Sequence, residues 1–202
     1  LEFNRLDEAH LAGLLAQDAA LARYRPVFER MRAMRPHQLS DELERFLHDQ
    51  STVGAAAWNR LFDETMAGLT FALPGEDEPL NLEATLNLLT DPDRPRREAA
   101  ARALAAEFGR NIKLFARVHN TLAKDKEIND RWRKMPNPQH GRHLSNHVEP
   151  EVVEALRNAV VAAYPRLSHR YYRLKAKWLG LERMQVWDRN APLPIEDMRV
   201  IP

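Results

Sequence analysis

The sequence has no cysteine, which rules out disulfides, thiolate nucleophiles and cysteine-ligated zinc. That lack fits a reducing compartment, and a cytoplasmic location is expected. A surplus of either charge is also lacking: 30 basic residues stand against 29 acidic ones, a net charge of +1. A general nucleic-acid binder displaces counterions with excess positive charge, so the balance argues against that class. No apolar run approaches the roughly 18 residues that a membrane span needs, and no secretory leader is visible in these residues. The motifs G-x-G-x-x-G, Walker A, G-x-S-x-G and H-E-x-x-H are all absent. No phosphate-cradling loop, serine elbow or two-histidine zinc helix can be assigned.

What is present is helical periodicity. The 202 residues, 44% of them apolar, suffice for one or two domains with a sizeable core. Leu1 to Leu15 reads as a helix. Asp18 reads as the cap of a second, with Leu21, Tyr24, Phe28 and Met31 on one side and Pro26 delaying it. Leu39, Leu43, Phe46 and Leu47 share a face, with Asp41 and Glu44 as a capping box. Ser51 or Thr52 is expected to cap a helix through Trp58 and Phe62. Residues 69–80 predict one small β-hairpin around the Pro74-Gly75 turn signal. Asn81 is a cap, and Pro95 opens a helix whose Ala99, Ala103, Leu104 and Phe108 face inward. A further stripe runs through Ile112, Phe115, His119 and Leu122. Val152, Val153, Leu156 and Val160 predict a core stripe after Pro150, and Leu167, Tyr171, Leu174 and Trp178 another before Gly180. The fold class is therefore mainly α, a multi-helix bundle with one small hairpin. The expected divisions are a helical region 1–133, a loop 134–150 with at most a short helix, and a helical region 151–202. Leu1 opens directly into a helical pattern and Ile201-Pro202 has no helix stop, so a piece of a longer chain is expected.

Four constellations invite a chemical reading. His140, His143 and His147 stand at i, i+3 and i+7, and the last two have zinc-peptidase spacing. Leu144, however, occupies the place where such peptidases need a glutamate, and proline and glycine surround the cluster, so solvated loop histidines are expected. His169, Arg170, Arg173, Lys175 and Lys177, interleaved with Tyr171, Tyr172 and Trp178, read as the solvated flank of an ordinary helix rather than a single-strand binding face. His119, on an apolar stripe, reads as a hydrogen-bonded core histidine. Arg94, Arg96 and Arg97 read as local partners of Asp91 and Asp93.

Several stretches taken in order carry a family resemblance: RMRAMRPHQLSDELERFLHDQS, AAAWNRLFDET, LTFAL, the segment from Asp91 to Arg133, and YPRLSHRYYRLKAKWLGLERMQVWDRNAPLP. Together they resemble the middle of a zinc oligopeptidase of the oligoendopeptidase F / thimet oligopeptidase family. Each piece is weakly specific; their number and order make the resemblance. It implies a larger two-lobed, mainly helical metalloendopeptidase that hydrolyses short peptides in a deep channel, with this piece forming part of the channel wall. The family's zinc motif lies later in sequence than Pro194, so no catalytic residue or metal ligand is assigned here. Zinc is expected in the parent enzyme and none in this fragment, which alone is expected to be inactive. Trp187, Arg189 and Asn190 are the candidate substrate-binding residues, weighed against a structural turn. Expected partners are peptides, with neither nucleic acid nor membrane, and self-association is expected through surface left bare by truncation. The alternative is a non-catalytic helical interaction module.

Overall fold

Aspartates and prolines set the helix boundaries at the start of the chain. The computed structural model describes residues 2–194, and the prediction for 151–202 falls outside them at its last eight positions. The described residues divide into two units, one of 1–58 and 120–156 and one of 59–119 and 157 onwards.

In the first unit the two predicted helices are four: α1 (Glu2–Arg5), α2 (Glu8–Gln17), α3 (Ala19–Ala22) and α4 (Arg25–Arg32). Asp7 accepts from the Ala9 and His10 amides, and Asp18 from those of Ala20 and Leu21, so each carboxylate starts a new helix. Pro26 has no N–H and sits in the first turn of α4, where none is required. Buried Arg32 donates to the carbonyls of Phe3 and Leu6 at the end of α1, and to Glu8. The Phe3 and Phe28 rings meet at 5.1 Å.

Helix α5 (Asp41–Ser51) is capped by Ser40, not Asp41: the Ser40 hydroxyl accepts from the Leu43 amide. Glu44 reaches back to the Leu39 amide instead of forming the predicted box. Ser51 and Thr52 stand at the end of α5. Because α5 runs on through Ser51, their hydroxyls meet the His48 and Asp49 carbonyls and close that helix. Helix α6 (Ala55–Gly68) begins beyond them.

In the second unit the core gathers Leu69, Phe71, Leu73, Ala100 and Leu104. Helices α7 (Leu82–Asn87) and α8 (Arg94–Arg110) and the start of α9 (Ile112–Trp132) surround it. Asn81 caps α7 as expected, with its Oδ1 2.8 Å from the Ala84 amide. Ala99, Ala103 and Phe108 pack on the core, and Phe71, Phe108 and Phe115 form a chain of edge-to-face contacts.

The predicted hairpin is a single antiparallel bridge, Phe71 to Leu80, with N–H···O distances of 2.8 and 2.9 Å. It does not lengthen because both flanks are committed elsewhere. On one side the Leu73 carbonyl accepts from Glu76 across a Pro74-Gly75 turn, where Gly75 takes φ 86°. On the other, Leu82 already belongs to α7.

Three stripes depart from expectation. His119 is exposed, and Val118 is the buried residue of α9. In α11 (Pro150–Ala163) no residue is buried, and Leu156 is 65% exposed. In α12 (Ser168–Trp178) the buried residues are Lys175 and Ala176, while Tyr171 and Trp178 lie open. The apolar pattern is real, but on α11 and α12 most of it stays exposed, with only Val153 and Leu174 of the two stripes half-buried. Between Pro136 and Pro150 a short helix, α10 (His140–Asn146), ends at His147, whose backbone is left-handed at φ 53°.

Candidate functional site

In the second unit the carboxylate of Asp188 is fully buried and accepts four hydrogen bonds. Pro95 fixes the start of α8, and a spacing of three then sets Arg94 and Arg97 on one face of the first turn. A 3-10 turn, Val186–Asp188, presents Asp188 to them. Asp188 Oδ1 accepts from Arg94 Nε at 2.9 Å and from Arg97 at 3.2 Å; Oδ2 accepts from Arg94 at 3.0 Å and from the Gln185 amide at 2.9 Å. Burial pushes the carboxyl towards protonation, but Arg94, the Gln185 amide and Arg97 outweigh it and hold its pKa below the ordinary value. A carboxylate with four donors on it is an anchor rather than a proton acceptor.

The neighbours of Asp188 are fixed with it. Arg97 Nε donates to the Trp187 carbonyl, and its Nη1 holds the carbonyls of Asp91 and Pro92. The Trp187 ring receives two guanidinium groups, Arg94 at 5.9 Å and Arg102 at 5.4 Å from its centre. Its indole nitrogen is shielded from solvent without a hydrogen-bond partner. Buried Lys175 donates to the Arg189 carbonyl at 2.7 Å. Burial, then the nearby Arg97, lowers the Lys175 pKa, and Asp188 only partly opposes them.

Of the residues singled out from sequence, Trp187, Arg189 and Asn190 follow one another around this anchor. Trp187 is half-buried, and the side chains of Arg189 and Asn190 are exposed. Asp188, Lys175 and the true partners of Arg94 and Arg97 escaped the sequence reading. The arginines do not pair with Asp91 and Asp93 but reach Asp188, 94 and 91 positions away. Arg96 pairs with Glu76 and makes a longer approach to Asp91. Two arginines three apart at a helix start, and one Trp-Asp pair before a proline, were the available signals.

The histidines do not converge either. His140 Nε2 meets His37 Nε2 at 3.1 Å, and His147 is exposed at the end of α10. Among the described residues no three histidine, aspartate or glutamate side chains are placed to hold a metal ion.

Comparison with known proteins gives this arrangement a context. The family model described as oligopeptidase F matches residues 2–71. The chain is 27% identical over 201 residues to the group B oligopeptidase PepB of Streptococcus agalactiae, covering 98% of this chain and 33% of that protein. It is 24% identical to the oligopeptidase PepF of Bacillus subtilis, over 95% of this chain and 29% of that one. Its fold follows the crystal structure of oligoendopeptidase-F from Enterococcus faecium with a TM-score of 0.79 and 25% identity, over 96% of this chain and 39% of that chain. The chain is similar to these oligopeptidases and to this oligoendopeptidase-F structure. A putative peptidase of Chlamydophila abortus shares the fold, with a TM-score of 0.77 at 20% identity. The chain spans about a third of the length of the curated oligopeptidases it matches.

Proposed function

We propose that this chain is part of a zinc-dependent oligoendopeptidase that hydrolyses peptide bonds in short peptides, and that its helices form part of the substrate-channel wall. The observation that carries the reading is continuity: one alignment with an oligoendopeptidase-F structure runs through 96% of the chain. The apolar faces left open on α11 and α12 suit a piece that forms one side of something larger.

The residues described here do not fit the zinc ion that the family resemblance implies. A catalytic zinc site takes three protein donors, and no such group is present among them. No step of peptide hydrolysis is therefore assigned to these side chains. Their contribution is to shape and position. The Asp188 anchor fixes the backbone of 186–191, and the exposed side chains of Arg189 and Asn190, with Trp187 behind them, are offered to the peptide. We also propose a cytoplasmic location, which the lack of cysteine fits; among the described residues no helix is long and apolar enough to cross a membrane.

The test is hydrolysis of internally quenched oligopeptides by a protein that carries this chain at the length of its relatives. Cleavage abolished by a chelator and restored by zinc is the expected result. A longer protein that lacks H-E-x-x-H and cleaves no peptide would replace this reading with that of a helical interaction module.

A further inference from the structure

Two histidines 103 positions apart in sequence meet in the first unit. His37 ends a 3-10 turn, Arg35–His37, and His140 opens α10. Both rings are half-buried, and their Nε2 atoms lie 3.1 Å apart. The approach is not that of a straight hydrogen bond. In a linear N–H···N contact of this length the ring centres would stand about 5.4 Å apart. Two lone pairs aimed at one metal ion, about 2.0–2.1 Å from each nitrogen, would bring the centres to about 4.8 Å. The observed separation is 4.9 Å. With the nitrogens 3.1 Å apart, such an ion would see them at about 98°, between the tetragonal and the tetrahedral angle.

The surroundings hold His37 as a metal ligand is held. Its Nδ1 donates to the Arg133 carbonyl at 2.9 Å, which fixes the ring and leaves the Nε2 lone pair facing His140. Arg133 returns a bond from Nη1 to the His37 carbonyl at 3.3 Å, and is itself gripped by both oxygens of Glu44 at 2.7 and 2.8 Å. Arg35, two residues from His37, pairs with Glu8. Both arginines thus carry countercharges of their own, which reduces their repulsion of a cation. We propose that His37 and His140 form a binding site for one divalent transition-metal ion, with water in its remaining positions. Imidazole suits copper, nickel and zinc, and in that series copper(II) binds most tightly. On binding, the His140 proton leaves Nε2 for Nδ1, so both rings stay neutral and each gives one lone pair. The ion then staples the turn before α5 to the start of α10. The site has two protein ligands rather than the three of a catalytic zinc centre, so it does not rest on the reading of peptide hydrolysis.

The test adds copper(II) chloride to the 202-residue chain, in which no cysteine competes for the metal. One ion per chain should bind, and proton NMR should show the ring signals of His37 and His140 broadening before those of any other histidine. His140→Gln should weaken binding at least about tenfold, whereas His147→Gln, at an exposed position outside the pair, should leave it within about twofold. Copper should raise the thermal midpoint of the unaltered chain and not that of His140→Gln. Absence of binding, first broadening at another histidine, or equal affinity in His140→Gln would overturn the proposal and leave the pair a plain hydrogen bond. An equal loss in His147→Gln would overturn it too, by moving the ion to α10 alone. The broadening experiment needs no substitution, so it decides the matter even where a variant fails to fold.

Discussion

The imidazoles of His37 and His140 meet Nε2 to Nε2 at 3.1 Å, and the other ring nitrogen of His37, Nδ1, lies 2.9 Å from the Arg133 carbonyl. A carbonyl only accepts, so His37 carries its proton on Nδ1. Its Nε2 is then an acceptor, and His140 must donate from Nε2. Nitrogen-15 NMR of the imidazoles at neutral pH should find opposite tautomers on these two rings. His140→Phe keeps a ring but removes the donor, and should cost about 1–2 kcal/mol in urea unfolding. An unchanged midpoint would show that the pair contributes nothing.

Asp188→Asn should be among the most damaging single changes in the second unit. It leaves Arg97 buried without a countercharge, and breaking a buried pair by removing one partner costs about 3–5 kcal/mol. Arg94→Ala should cost less, because Arg94 is partly exposed and water can replace what it loses. Urea denaturation of the two variants checks the order; equal losses would contradict it.

Acid should weaken the fold through two carboxylates shielded from solvent, Glu44 and Asp188. Hydrogen bonding by Arg133 holds the Glu44 pKa below its ordinary value, and Asp188 is depressed by Arg94, Gln185 and Arg97 despite its burial. A carboxyl depressed in the folded state stabilises fully above its unfolded pKa of about 4, and the contribution disappears as pH falls through the lower folded value. Stability should therefore drop below about pH 4, and Glu44→Gln should flatten that fall while lowering the plateau. Lys175 has the opposite consequence at the alkaline end: its pKa is lowered, so the folded state should gain as pH rises through that value. Urea midpoints measured across pH test both limbs.

The caps make a graded prediction. Asn81→Ala removes the 2.8 Å bond to Ala84 and should cost about 1 kcal/mol. Ser51→Ala removes only a bond back to a carbonyl within α5 and should change stability by less than about 0.5 kcal/mol. Thermal melts of the two variants should separate them.

Where the determinant was local, the sequence was readable. Asp18, Asn81 and Pro95 start helices because each acts on amides or a backbone angle within a few residues, and Ala99, Ala103 and Leu104 keep their period inside one helix. The Asp41 box failed by one position because Ser40 offered an acceptor to the same turn. The hairpin shrank to one bridge because its neighbours were claimed by a turn and a helix. The Asp188 site was unreadable in advance for a different reason: its partners stand some ninety residues away, and no period or spacing links them. For α12 the pattern was read correctly as apolar on one face and wrongly as inward, since periodicity reports that a face needs cover and not what supplies it.

The tie from Arg94 to Asp188 also bears on the order of assembly. A contact between groups 94 positions apart closes a long loop, whose entropy disfavours its forming before the shorter-range contacts between them. A latch that sets late leaves the refolding rate of a weakened variant nearly untouched and shows itself as faster unravelling. The carboxylate at 188 would then govern how long the folded chain endures rather than how quickly it arises.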